Sequence, residues 1–229
     1  MKGWLIGALI ATAASSASAQ VGYPPDKSPY QDRDYNRDWS FFAGTFQAQP
    51  DPAGVAPREG PMVGGKWQMH LSGPIYFGIR LAGASVERTI IDPTKVIEER
   101  VVGTENVPMA FADANLEMTL TGHKTWHGFA PFINGGFGVV ADVRGSNDVG
   151  GYRFGIPFSM NFGAGMSYAV ARNWSVRFDW SNYLYRISYP GSYYIKTTED
   201  PPVLSQGQAQ SFWRRNPAFM LGISLFRPR

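Results

Sequence analysis

The run FMLGISLF, Phe219 to Phe226, puts Phe219, Leu221, Ile223 and Leu225 on one face of an extended segment and Met220, Gly222, Ser224 and Phe226 on the other. Period-2 alternation close to the C-terminus, ending on an aromatic, suits a closing strand with lipid on one side and a barrel interior on the other.

The N-terminus carries the marks of export. Lys2 is a charged n-region, Trp4 to Ala14 an apolar core, and Ala17-Ser18-Ala19 a small-residue site, so residues 1–19 form a signal peptide cleaved between Ala19 and Gln20. The apolar core falls short of the roughly 20 residues of a spanning helix, and no later run supplies one. Export plus a closing strand points to the outer membrane of a Gram-negative-type bacterium. Without Lys2 the chain keeps 20 basic residues against 18 acidic ones, a net charge of +2, and the basic residues are scattered. That excludes nucleic acid as the expected partner. Zero cysteines exclude a disulfide framework and a lipoprotein anchor.

About 210 mature residues suit a single domain. Glycine (26 residues) and aromatics (14 %) are plentiful while charged residues reach only 17 %, a mix that fits a barrel with glycine relieving crowding inside. Residues 20–38, rich in Pro, Asp, Arg and Tyr and without periodicity, read as a flexible periplasmic lead-in. The barrel is expected over 39–226, with 227–229 as a short tail.

Eight alternating runs follow the lead-in. The first, about Trp39 to Gln49, sets Phe42, Phe46 and Ala48 against Thr45 and Gln47. The second sets Trp67, Met69 and Leu71 against Lys66, Gln68 and His70; the third, Ile75, Phe77, Ile79 and Leu81 against Tyr76, Gly78 and Arg80. In the fourth, Leu116, Met118 and Leu120 oppose Asp113, Asn115, Glu117 and Thr119. The fifth sets Ile133, Phe137 and Val139 against Asn134, Gly136, Gly138 and Asp142, and the sixth Met160, Phe162 and Met166 against Ser159, Asn161, Gly163 and Gly165. The seventh opposes Val176, Phe178 and Trp180 to Arg177, Asp179 and Ser181, and the terminal run is the eighth. Polar faces rich in Gly, Ser, Asn and Thr fit a narrow lumen better than a solvent-washed surface.

Connectors alternate long and short, with long links at Pro50–Pro61, Asp92–Pro108, Gly145–Gly155 and Ser188–Ser211, and tight ones at Ser72–Pro74, Gly122–His127 and Arg172–Asn173. That is the pattern of extracellular loops at one barrel end and periplasmic turns at the other. The fold class expected is therefore all-β: an eight-stranded antiparallel up-and-down transmembrane barrel. Trp126, Trp174 and Phe226 near the short turns, and Tyr183, Tyr185, Tyr189 and Trp213 towards the long loops, are placed as two aromatic girdles. Lys95 to Val102 is β-prone, so the third and fourth strands are expected to protrude as a hairpin.

The segment FSMNFGAGMSYAVARNWSVRFDWSNYLY, Phe158 to Tyr185, resembles the small outer-membrane β-barrel superfamily, the OmpA-type and OmpX/opacity-like domains. Gly163, Gly165, Tyr168, Arg177 and Asp179 match its Gly-rich penultimate hairpin, tight turn and Arg-x-acid strand, and PFINGGFGV at Pro131 to Val139 looks like the preceding strand. The resemblance implies an integral barrel with a structural or surface-interaction role. It also implies contact with outer-membrane lipid and lipopolysaccharide, folding by the barrel-assembly machinery, a monomeric state and loops able to take a surface ligand. Phe226 is the expected C-terminal assembly signal, although Arg227-Pro228-Arg229 follow it, where such families often end on the aromatic.

The charges predicted to point inward, Lys66, His70, Arg80, Glu117, Asp142, Arg177 and Asp179, must be paired in a low-dielectric lumen. Arg177 and Asp179 share a face at i, i+2, and Arg80 and Glu117 are candidates for the same ion-pair network, a polar plug. The alternatives are a narrow passive pore for small or apolar solutes, as in OmpW-like barrels, and an outer-membrane lipid A-modifying enzyme. Such deacylases carry His-x-Ser-Asn on a late strand; here Asp179-Trp180-Ser181-Asn182 lacks the histidine, so no catalytic residue is assigned. His70, His123 and His127 lie far off in sequence, the last two at a short turn. No metal-ligand spacing and no nucleotide fingerprint appear, so neither metal nor cofactor is expected. A soluble lipocalin-type barrel would carry the opposite orientation, apolar face inward.

Overall fold

Each alternating run becomes a strand, and two short strands are added. The computed structural model describes residues 28–33, 35–144, 148–197 and 200–228; the expected signal peptide, the cleavage site at Ala19 and Gln20, and most of the lead-in lie outside them. The strands are β1 Tyr30–Asp32, β2 Tyr35–Phe46, β3 Gly60–Ser72, β4 Ile75–Ile91, β5 Val101–Thr119, β6 Lys124–Trp126, β7 Phe129–Asp142, β8 Phe158–Ala171, β9 Trp174–Ser188 and β10 Ser211–Pro228. Antiparallel pairing runs in the order β7-β5-β4-β3-β2-β10-β9-β8, and β8 pairs back onto β7, which closes a ring of eight. The chain ends meet where β10 lies against β2, from Ala218↔Phe46 to Leu225↔Trp39.

The outer face is apolar. Trp39, Phe41, Leu81, Phe137 and Leu221 are each more than half exposed, and exposed Leu, Ile, Val, Met and Phe continue around the cylinder. The buried inner face carries Lys66, Gln68, Arg80, Asp113, Asn115, Glu117, Arg177 and Asp179. This is the reverse of a soluble protein, and only a bilayer solvates such an exterior; the ring in turn leaves no strand edge to hydrocarbon.

Several expectations are corrected. β2 begins at Tyr35, four residues before the anticipated start, because its backbone continues to pair with β3 at Arg37↔Met69. Within the lead-in, Tyr30–Asp32 pairs with Lys124–Trp126 in the β5–β7 connector, forming a short ribbon beside the barrel end. Residues 227 and 228, expected as a tail, continue the β10 backbone pairing to Tyr35. Phe46 points into the lumen, and Trp39, Phe41 and Ala43 form the outer face of β2; apolar residues on both faces made its alternation ambiguous. Tyr183, Tyr185 and Tyr189 are buried rather than girdle residues, whereas Trp213 is half exposed. The long hairpin of β4 and β5 does extend, pairing out to Ile91↔Val101.

Candidate functional site

The lumen holds the densest chemistry, and strand register decides who meets whom. Arg177 and Asp179 share the inner face of β9. The guanidinium donates from Nε to Asp179 Oδ2 at 2.6 Å and from Nη2 to Asp179 Oδ1 at 2.9 Å. It also reaches across the lumen to Glu117 on β5, from Nη1 to Oε1 at 3.1 Å and from Nη2 to Oε2 at 2.5 Å. Lys66 Nζ on β3 donates to the same Glu117 Oε2 at 2.7 Å. The face of the Arg177 guanidinium lies 3.9 Å from the Phe132 ring centroid, so the cation is enclosed by carboxylates at its edge and an aromatic at its face.

Arg80 does not join Glu117 as anticipated. It sits directly opposite Asp113 across the β4–β5 pair and donates to it at 3.0 Å, while its Nη1 donates to Ser181 Oγ, also at 3.0 Å. Lys66 lies directly opposite Arg80, and the two like charges are served by different acids. The alternation puts Asp113 on the inward face without naming its partner, and the lead-in expected over 20–38 takes in Asp38, which the structure buries beside Ser40. The alternation of Asp38 and Ser40 with Trp39 and Phe41 was the available signal. His70 and Asp142 stand outside the cluster. His70 is beside Gly73 O at the short-turn end, and Asp142 ends β7 at the other, accepting the Arg144 backbone N–H.

Below the ion pairs, the short-turn mouth is covered. Phe226 faces inward and stacks on Tyr35 with centroids 4.3 Å apart; the Arg33 guanidinium lies 4.8 Å from the Phe226 ring and 5.1 Å from that of Tyr35. The space left between this cover and Glu117, Arg177 and Asp38 is about 10 Å³, roughly one water-sized sphere.

Above the ion pairs the lumen turns apolar. Phe46, Met62, Val86, Val107, Met109, Phe111, Val140 and Met220 pack together with Tyr183 and Tyr185. Phe111 and Tyr183 are 5.0 Å apart, and Arg80 lies 5.1 Å from the Tyr183 ring, joining the two layers. The long connectors roof this layer. Asp51 accepts from the backbone N–H groups of Val55 and Ala56 and from Tyr189 OH, the last at 2.6 Å. Arg214 Nη1 donates to Pro57 O and Arg100 Nη2 to Pro201 O. Burial pushes the phenols of Tyr152, Tyr189 and Tyr193 well above their ordinary value, so they remain neutral, and Asp51 adds to the effect at Tyr189. Burial also raises the Asp148 carboxyl, against the pull of Arg88 at 3.2 Å.

Ser181, the hydroxyl considered for an acyl-transfer role, has Arg80 as its neighbour, and the three histidines stand at the short-turn end.

No family model matches the chain, and no curated protein sequence matches it. In three dimensions the chain is similar to the crystal structure of Neisserial surface protein A, with a TM-score of 0.50 and 10 % identity over 87 % of this chain and 98 % of that one. It is equally similar to the outer membrane protein OprG from Pseudomonas aeruginosa, again at 0.50 and 10 %, covering 87 % and 100 %. The fold is that of a small outer-membrane β-barrel. At this identity the likeness is one of architecture, and it meets the eight-strand ring and apolar belt derived above. Together these place the chain in the outer membrane of a Gram-negative bacterium.

Proposed function

We propose that the protein is a sealed, monomeric outer-membrane barrel with a structural or surface-interaction role, its long connectors forming the platform for contacts outside the cell. One observation carries this: two layers of packed side chains cross the lumen in series, the ion pairs around Arg177 and the apolar layer from Phe46 to Tyr185 under its roof of loops. A passive pore needs a water path through both layers, and an apolar conduit needs open space in the upper one, which side chains fill. A lipid-modifying enzyme needs a base beside Ser181, where Arg80 stands instead. Lipid, lipopolysaccharide and the assembly machinery, with Phe226 as its signal, belong to this proposal as partners.

Single-channel recording of the full chain in planar bilayers tests it. The expected trace is silent, and stable conductance steps from folded protein would replace this reading by the pore.

A further inference from the structure

The short-turn mouth holds a hollow that neither layer of the lumen uses. On the outer side of the cover made by Tyr35 and Phe226 lies a pocket of about 460 Å³. One wall is the β1–β6 ribbon, through Gln31 and Arg33; the other is the end of β8 and its turn, Ala169 to Arg172. The ribbon is held there by its own pairing, which Arg33 N–H continues to His123 O at 2.7 Å. The turn is tied to the floor, since Phe226 N–H donates to Asn173 O at 2.7 Å.

Each wall brings a cation. The Arg33 guanidinium is fixed by the Tyr35 and Phe226 rings at its face, and its Nη2 reaches Ser167 Oγ at 3.4 Å. A guanidinium stacked in this way keeps its N–H edge for an anion lying in its plane. Arg172 is exposed at the β8–β9 turn. Among the described residues, neither has a carboxylate in ion-pair contact; Asp32, the acid that lines the pocket, is largely exposed and lies 3.8 Å from Lys124 Nζ. The surface between the cations is of another kind. Ala169, Val170 and Ala171 give a small aliphatic wall, and Gln31 gives an amide able to donate and to accept.

The volume is that of a site for an organic molecule, and an inorganic anion fills a small part of it. Cations on two walls, with an amide and small aliphatic groups between them, match a slender chain that carries more than one acid. We propose that this pocket binds a short acidic peptide on the periplasmic side, its free C-terminal carboxylate on Arg33, an acidic side chain on Arg172, and its backbone paired with Gln31. The terminus belongs at Arg33 because the aromatic floor stops the chain there, whereas Arg172 stands at the open rim. The side of the membrane rests on the connector pattern; the site itself is independent of the sealed lumen.

Isothermal titration of the folded full chain in detergent tests the assignment, with Ala-Glu-Ala, its C-terminal amide, Ala-Gln-Ala and inorganic phosphate as probes. Wild type should hold Ala-Glu-Ala about tenfold more tightly than either neutralised peptide, and phosphate more weakly than Ala-Glu-Ala. Arg33→Gln should remove the advantage over the C-terminal amide, and Arg172→Gln the advantage over Ala-Gln-Ala. Lys124→Gln, which removes a ribbon cation outside the pocket lining, should change nothing. The heat-modifiable folded band checks each variant, and Arg172, at an exposed turn, keeps the test open should Arg33→Gln disturb the cover. Equal affinity of wild type for all three peptides, phosphate bound more tightly than Ala-Glu-Ala, or a loss in Lys124→Gln as large as in Arg172→Gln overturns the site. None of these outcomes touches the sealed-barrel reading, which the bilayer recording tests separately.

Discussion

Glu117 serves two cations at once, so its removal leaves Lys66 without its carboxylate and Arg177 with Asp179 alone inside the lumen. Breaking a buried pair from one side costs about 3–5 kcal/mol. Glu117→Gln should therefore lower the temperature at which the folded band is lost on heat-modifiability gels by more than Asp113→Asn, which leaves Arg80 with Ser181 and the Tyr183 ring. Half of this cluster was legible: Arg177 and Asp179 declare themselves by spacing of two on one strand. The partner of Arg80 was not, because choosing between Asp113 and Glu117 requires the β4–β5 register, which the alternation alone does not set. In the roof, Asp148 faces Arg88, Glu105 and Tyr193, and burial raises its folded-state pKa. A raised carboxyl contributes stability at low pH that is lost as pH climbs through the raised value. Proteolysis of the connector around Asp148 should be slower near pH ~4, the ordinary carboxylate range, than at neutral pH. Asp148→Asn should flatten that difference, and an unchanged profile would assign the effect to another group.

Among the strands, the clearest faces were those with charge or glycine on one side and bulk on the other, as in β5 and β8. β2 failed that test, with Trp39 and Phe41 outside and Phe42 and Phe46 inside. β1 and the first turn of β2 were hidden for the opposite reason: a segment of Asp, Arg and Tyr shows no apolar period, and its order comes from pairing with β6 and stacking on Phe226. The Gly-rich strand β7 shows how composition makes room for chemistry. A Cβ at Gly138 would come within 2.0 Å of Ala112 O and 2.6 Å of Asp113 Cα, so the bare backbone there lets β5 carry Asp113 towards Arg80. Gly138→Val should cost about 1–3 kcal/mol or more, as overpacking does. It should be seen as a smaller folded fraction after refolding into detergent, with Gly135→Leu on the outer face of the same strand unaffected in that assay.

At the scale of the molecule, the sealed barrel proposed above rests on two layers built of different physics. The lower one is electrostatic, Lys66, Glu117, Arg177 and Asp179 spanning the lumen from three strands. The upper one is hydrophobic, and it borrows Tyr189, Tyr193 and Leu204 from the last long connector as part of its roof. Because the seals stand in series, opening either should not produce current. Replacing residues 190–209 by a short turn should expose the layer around Phe111 and Tyr185 and raise binding of a hydrophobic dye, while the bilayer trace stays silent. Replacing Lys66, Glu117, Arg177 and Asp179 together by Ser or Thr should leave it silent too, since the upper layer excludes water. Only a variant that combines both changes with Phe46, Met62 and Phe111 reduced to Ala, so that the strand-borne part of the upper layer is removed too, should conduct, and with steps that depend weakly on ion sign once the luminal charges are gone. Conductance from the loop deletion alone would show that the ion pairs leave a water path, and the lower seal would then be a selectivity filter.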